Sequence, residues 1–278
     1  MLRTRVITAL VLLAVLLPAL LAASPWPFQL LTLVMIAAAG WEWSRLNQLP
    51  GAGALGLAAV VAAGCGLALA QGWVGHAPAR LWQVALLLWV MGGAWALSQG
   101  VTGWPKVPSA ARLLLGLALL WLAWLAIAEA RLRGLNFLLS LFCLVWMADI
   151  AAYFGGRAWG KRKLAPAISP GKSWAGVYTG MAGVLLLALG WIAWDAAHPD
   201  AGTSLYTALL LRAGWPGLVV ACLFLASLSV VGDLFESMVK RSAGAKDSSA
   251  LLPGHGGVLD RIDALLPVCP LALALLTT

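Results

Sequence analysis

The sequence predicts an all-α, polytopic integral membrane protein, and three observations carry that prediction. The 278 residues are 62% hydrophobic and only 10% charged, where a soluble domain carries about 25% charged residues. Apolar runs recur at the length of about 20 residues that crosses a bilayer. Polar residues collect in short connections that leave no room for a soluble domain, and no fixed-period repeat is visible.

Taken in order, the apolar runs predict about nine helices. The first covers roughly 6–23, after the basic start Met1-Leu2-Arg3-Thr4-Arg5. This run exceeds the roughly 7–15 apolar residues of a signal peptide, so an uncleaved first helix is the reading. The second, roughly 27–42, is short; Glu42 and Arg45 beside Trp41 and Trp43 read as a helix-end ion pair with interfacial aromatics. The third to fifth cover roughly 52–71, 81–99 and 111–128, and Glu129-Ala130-Arg131-Leu132-Arg133 reads as a solvated turn. The sixth, roughly 134–155, carries Asp149; the seventh covers roughly 174–194. The eighth, roughly 213–235, ends near Asp233, and the ninth is roughly 262–278. The longest polar connections are roughly 156–173 and 236–261.

The net charge of +8 reflects 18 Lys/Arg against 10 Asp/Glu. With so little soluble surface, this excess points to cytoplasmic loops of a membrane protein and not to nucleic acid. An N-in, C-out topology puts about 14 of the basic residues on the cytoplasmic side, with both long polar connections. Cys65, Cys143, Cys222 and Cys269 lie in apolar runs and read as small buried hydrophobes. His76 and His198 read as solvated. Trp26, Trp41, Trp43, Trp104 and Trp215, near predicted helix ends, read as interfacial anchors.

The chemistry concentrates in two stretches. In the first, Asp233, Glu236, Ser237 and Lys240 share a helical face. A carboxylate after a long apolar run is costly unless it has a partner or a purpose; pairing of Asp233 with Lys240 is the structural alternative. Downstream come Arg241, Lys246 and Asp247, then Pro253-Gly254-His255-Gly256-Gly257 and Asp260-Arg261-Ile262-Asp263. The glycine turn suits an anion cradle of backbone N–H groups, although a plain turn uses the same residues. Asp260 and Asp263, three apart, put two hard oxygen ligands on one face, which suits Mg2+; helix capping is the alternative. In the second stretch, Asp149, Tyr153 and Arg157 share a face ahead of Lys161-Arg162-Lys163 and Ile168-Ser169-Pro170-Gly171-Lys172-Ser173-Trp174. The basic cluster also reads as snorkelling anchors. Gly171-Lys172-Ser173 is not a P-loop, because Pro166 occupies the place of the required glycine.

The pattern Ser237-x-x-Lys240-Arg241-x4-Lys246-Asp247, followed by Pro253-x-His255-Gly256-Gly257-x-x-Asp260-Arg261-Ile262-Asp263, closely resembles the signature of the phosphatidate cytidylyltransferases, or CDP-diacylglycerol synthases. The stretch from Asp149 through Tyr153-Phe154-Gly155-Gly156-Arg157 to Ser173-Trp174 is similar to the same family. The resemblance is strong over 149–263 and general elsewhere, which divides the single domain 1–278 into N-terminal helices, 1–128, and a catalytic half, 129–278. Ser249 stands where the family commonly has Gly, and Ala175 where many members carry a polar residue.

The resemblance implies transfer of CMP from CTP to phosphatidic acid with Mg2+, leaving a second cation open. It implies a homodimer in the cell's inner (plasma) membrane, with its site facing the cytoplasm and no nucleic-acid partner. Family members carry metal on the residues matching Asp233, Asp260 and Asp263. Lys240, Arg241, Lys246, Asp247, His255 and Arg261 become candidates for catalysis; Asp149, Tyr153, Ser169, Lys172, Gly256 and Gly257 become candidates for substrate binding. Two rivals remain. A secondary transporter would use Asp149 and Asp233 as ion-coupling sites, but the ionisable residues cluster at one membrane face and no inverted repeat is visible. Another membrane lipid nucleotidyl- or phosphotransferase, such as a polyprenol kinase, is the nearer one.

Overall fold

A computed structural model describes residues 2–277; Met1, and Thr278 at the end of the last predicted helix, lie outside the described residues. The chain is a bundle of helices: α1 Leu2–Leu21, α2 Trp26–Leu46, α3 Ala52–Ala70, α4 Ala79–Leu87, α5 Gly93–Gly103, α6 Ser109–Arg133, α7 Leu135–Trp159, α8 Trp174–Ala197, α9 Leu205–Ser242, α10 Leu259–Ile262 and α11 Leu265–Thr277. Among the described residues, seven helical segments are long and apolar enough to cross a membrane. A π-turn at Leu88–Gly92 joins α4 to α5, so that Ala79–Lys106 forms one such segment. The all-α expectation needs one addition, an antiparallel hairpin of β1, Lys163–Ala165, and β2, Ser169–Ser173.

Several helices run past the charges that marked their predicted ends. Helix α2 continues beyond Glu42 to Leu46, and α7 passes its predicted end at 155 to reach Trp159, two residues beyond Arg157. The eighth predicted helix, expected to begin at 213, does start there: Gly214 (φ 65°, ψ −175°) leaves the helical path, and a shorter helical run from Leu205 leads into it. Pro216 falls in the first turn after that break, where its missing N–H leaves no helical bond unmade. The helix then runs to Ser242, which places Asp233 inside the helix and not at its end. The ninth predicted segment shortens to α11, whose residues 265–274 are all buried. Its 13 residues form a central core helix packed on α9, α6 and α4.

Two local expectations fail. Glu129, Arg131 and Arg133 form the last turn of α6 and not a solvated loop: Glu129 is buried and pairs with Arg133 at 2.8 Å, while Arg131 donates to the Ala22 carbonyl. Trp43 and Trp104 are not interfacial anchors. They are buried around Phe235, and their indole N–H groups donate to Arg112 O at 3.0 Å and Asn47 Oδ1 at 3.1 Å. Trp26 and Trp215 are exposed, as anchors would be. An aromatic whose N–H finds a buried acceptor can serve the core as well as a headgroup layer.

Candidate active site

One end of the bundle gathers the start of α1, the end of α2, the β-hairpin and the loop 243–258. Thr8 of α1 donates to Pro253 O at 2.9 Å, and Ser248 donates to Glu42 of α2. The hairpin places its residues there because Lys163 pairs with Ser173 and Ala165 with Ser169, and Ser173 then caps α8 by accepting from Gly176 N. Lys172 thereby reaches Asp233 of α9, at 2.6 Å. Asp233 also accepts from Ser237, one turn on, at 3.1 Å. The expected structural pairing of Asp233 with Lys240 does not occur; Lys240 bridges Glu236 and Asp260 instead.

Asp149, Tyr153, Arg157, Ser169, Lys172 and Asp233 line one cavity of about 570 Å3 between α7, α8, α9 and the hairpin. Tyr153 is exposed and accepts from Arg157 at 3.4 Å. Asp263 sits just beyond the other carboxylates, within electrostatic reach of both Asp233 and Asp149. Its carboxylate accepts from the amide of its own neighbour, Ala264, at 2.8 Å. The backbone packs tightly here: a side chain at Gly232 would run into the Asp263 carbonyl.

Asp260 faces another way. Its carboxylate accepts from Ser248 N at 2.9 Å, Ser248 Oγ at 2.9 Å and Gly257 N at 2.8 Å, and from Lys240. Burial alone would raise its pKa; Lys240 and the two amides overcome that and hold it at about 2. The three carboxylates expected to share a metal are therefore not brought together. Among the described residues no three His, Cys, Asp or Glu side chains form a group that could hold a metal ion. Asp233 and Asp263 still fit Mg2+, which commonly takes one or two carboxylates and completes its shell with water and phosphate oxygens. Asp260 already accepts from Lys240 and from two backbone amides.

The glycine turn also differs from a free anion cradle. Gly257 gives its amide to Asp260, and Gly256 adopts φ +84°, a conformation that favours glycine. Lys246, Asp247, His255, Gly256 and Arg261 line a second, polar cavity of about 680 Å3, with Arg5 of α1. Within it Arg261 donates to His255 O at 2.7 Å, and His255 Nδ1 is buried without a hydrogen-bond partner. An apolar cavity of about 360 Å3 adjoins it, sharing Leu252 and Arg261 and lined by residues such as Leu16, Phe28, Met35 and Trp146. Arg241 lies apart, exposed and donating to Ala245 O at 3.3 Å.

Sequence reasoning missed two residues. Glu42 does not pair with Arg45, whose guanidinium lies over the Trp41 ring at 4.6 Å. Glu42 is instead fully buried against the loop 248–259, and Ser248 joins it there. A signal did exist: Glu42 is the one acidic residue before Glu129.

Comparison with known proteins places this arrangement. Residues 3–278 match the profile of the cytidylyltransferase family. A phosphatidate cytidylyltransferase of Pseudomonas aeruginosa is 39% identical over 281 residues, covering 99% of this chain and 97% of that relative. One of Haemophilus influenzae is 50% identical over 138 residues, covering 50% of this chain and 44% of the relative. One of Brucella suis is 46% identical over 138 residues, covering 50% and 46%.

Proposed function

The chain belongs to the cytidylyltransferase family, and on that premise we propose that it transfers CMP from CTP to phosphatidic acid, forming CDP-diacylglycerol and pyrophosphate for phospholipid synthesis. The observation that carries the reading is the cavity that holds Asp149, Asp233 and Lys172 together with Tyr153 and Ser169, at the bundle end where the 237–263 signature folds back on α9 at Gly232.

A phosphate oxygen of phosphatidic acid attacks the α-phosphorus of CTP. The new P–O bond forms as the bond to the bridging oxygen of the β-phosphate breaks, and pyrophosphate leaves with the electron pair. A phosphate monoester has its second pKa near 6, so it is largely dianionic at neutral pH and needs no strong base. The protein's work is to bring anions together and to stabilise spreading charge. Asp233 and Asp263 would hold Mg2+, which when bound supplies positive charge to the CTP phosphate oxygens. Lys172 pairs with Asp233, Lys240 pairs with Glu236 and Asp260, and Asp149, Tyr153 and Ser169 line the space for nucleotide or headgroup. Lys246, His255 and Arg261 offer donors to anionic groups in the polar cavity. Its apolar neighbour at Leu252 and Arg261 supports a lipid substrate, since cationic and hydrocarbon-like walls stand side by side. Residues 129–278 carry the chemistry in this reading, and α1 and α2 brace it.

The cytoplasmic orientation rests on the Lys/Arg asymmetry, and homodimer formation on the family resemblance. Labelling of single cysteines at Ser242 and Gly202 from either face of sealed vesicles tests the first, and cross-linking in native membranes the second. For the reaction itself, purified protein in detergent receives CTP labelled in its cytosine, phosphatidic acid and Mg2+. A lipid-linked CMP product is expected. Folded protein that makes none, yet moves a solute across liposomes, would establish the transporter reading instead.

A further inference from the structure

Glu42 is fully buried, and no Lys or Arg among the described residues forms an ion pair with it. Such a carboxylate is costly unless hydrogen bonds replace its water. Four donors do so here. Oε1 accepts from Ser249 Oγ and from Val258 N at 3.0 Å; Oε2 accepts from Ser248 Oγ at 3.2 Å and from Leu259 N at 2.7 Å. Two donors lie where the loop 248–259 begins and two where it ends, so one side chain from α2 ties both ends together.

Asp260 grips the same loop from its other side, through Ser248 N and Gly257 N. The Ser248 hydroxyl lies 3.2 Å from Glu42 Oε2 and 2.9 Å from Asp260 Oδ2. It has one proton and serves one carboxylate at a time. Gly257 completes the fit, since a Cβ there would collide with both Ser248 Oγ and the Glu42 carboxylate.

We propose that Glu42 is a positioning residue for the transfer reaction: it clamps the ends of the 248–259 loop so that Asp260, Arg261 and Asp263 stand in fixed register beside α9. The proposal rests on the functional reading above and adds to it a residue from the N-terminal helices. The position demands glutamate. Each carboxylate oxygen faces one backbone N–H and one hydroxyl, so in Gln the amide NH2 would meet a backbone N–H donor to donor, whichever way it turned. Asp is one methylene too short to span both ends.

The test compares wild type, Glu42→Gln and Ser249→Gly in detergent with Mg2+, CTP and dihexanoyl phosphatidic acid, alongside hydrogen exchange of the ligand-free proteins. Glu42→Gln should lower kcat/KM for CTP by about 10–100-fold, the factor expected from one buried amide left unpaired, and should raise the Mg2+ concentration needed for half-maximal rate. Its amides at 248–259 should exchange at least about tenfold faster while those of α3 and α8 keep wild-type rates. Ser249→Gly, which removes one hydroxyl of the four donors, should cost about threefold or less. Should Glu42→Gln not fold, Gly257→Ala drives the same wedge from the loop side with α2 intact, and the same kinetic and exchange changes are expected. A folded variant with wild-type kcat, KM and Mg2+ response, or with faster exchange spread evenly over the helices, overturns the proposal and leaves Glu42 a stability residue. Wild-type protein that makes no CDP-lipid overturns the functional reading and this proposal with it, whereas active wild type with indifferent variants overturns this proposal alone.

Discussion

Two polar networks lie at opposite ends of α7, and they are built on opposite principles. Near its start, Asp195 of α8 accepts from Asn136, from Ser204 N and Oγ, and from Thr207 Oγ1. Asn136 spends its remaining capacity on Gly202 O at 2.6 Å and on the Trp191 indole at 2.7 Å. Both oxygens of the carboxylate are satisfied by the protein. Near the other end, Asp149, Asp233 and Asp263 act on one another as like charges, with Lys172 bonded to only one of them. Asp263 has little beyond a neighbouring amide. A saturated network stabilises a fold, whereas repulsion left standing in an otherwise consistent fold marks a place where something else binds.

The sharpest way to break this contrast is to neutralise one carboxylate at each end. Asp263→Asn and Asp233→Asn should each lower CMP transfer by about 10²–10³-fold, the scale of losing one preorganised electrostatic group. The ligand-free melting temperature should hold for Asp263→Asn or rise, because a repulsive charge disappears. Mg2+ with CTP at about 100 Kd should stabilise wild type by about 2.7 kcal/mol by mass action, and both variants much less. Near-normal turnover with unchanged Mg2+ dependence would remove these residues from the metal site. Lys172→Met asks a subtler question. It leaves Asp233 intact but unbalanced, so a loss of about tenfold in rate is expected, together with a lower ligand-free melting temperature that Mg2+ restores.

At the saturated end the pattern should invert. Asp195→Asn turns an acceptor facing four donors into a group that carries donors of its own. It should cost about 1–3 kcal/mol of stability, read from thermal unfolding in detergent, while turnover of the folded protein stays within about twofold of wild type. A large loss of turnover at unchanged stability would mean that the two ends are coupled along α7.

The sequence exposed the reactive end more readily than the saturated one, and the reason is physical. Asp149 and Asp233 interrupt apolar runs, and Asp260 and Asp263 follow a glycine turn; carboxylates so placed have few inexpensive explanations. Their partners were harder to read. Lys172 reaches Asp233 only because a hairpin folds back, and Asp260 turns to Lys240 and Ser248 rather than to Asp263. Glu42 was out of reach for the same reason: its donors lie 206 to 217 residues away, while Arg45 offered a nearer partner. Helix ends failed where a charge imitates a boundary, as at Glu42, and held where glycine breaks the helical path, as at Gly214. Tryptophan failed where one residue type serves two environments: Trp26 is exposed and Trp104 is buried.

The smallest expected effect tests the saturated network most finely. Ser204 accepts from Thr207 N at 3.2 Å as the N-cap of α9 and donates to Asp195 Oδ2. Ser204→Ala removes the cap and one of three donors to that oxygen, but leaves Ser204's own backbone N–H and the Thr207 hydroxyl in place. Loss of a cap costs about 0.5–2 kcal/mol, and the surviving donors should keep the effect near the lower half of that range. Nothing on the cavity side of α9 moves with it, since Asp233 lies 29 residues further along the helix, beyond the Gly214 kink. Turnover and Mg2+ response should therefore match wild type while the melting temperature falls slightly. A drop in turnover from so small and remote a change would mean that α9 transmits strain through its kink, and that the two networks act as one.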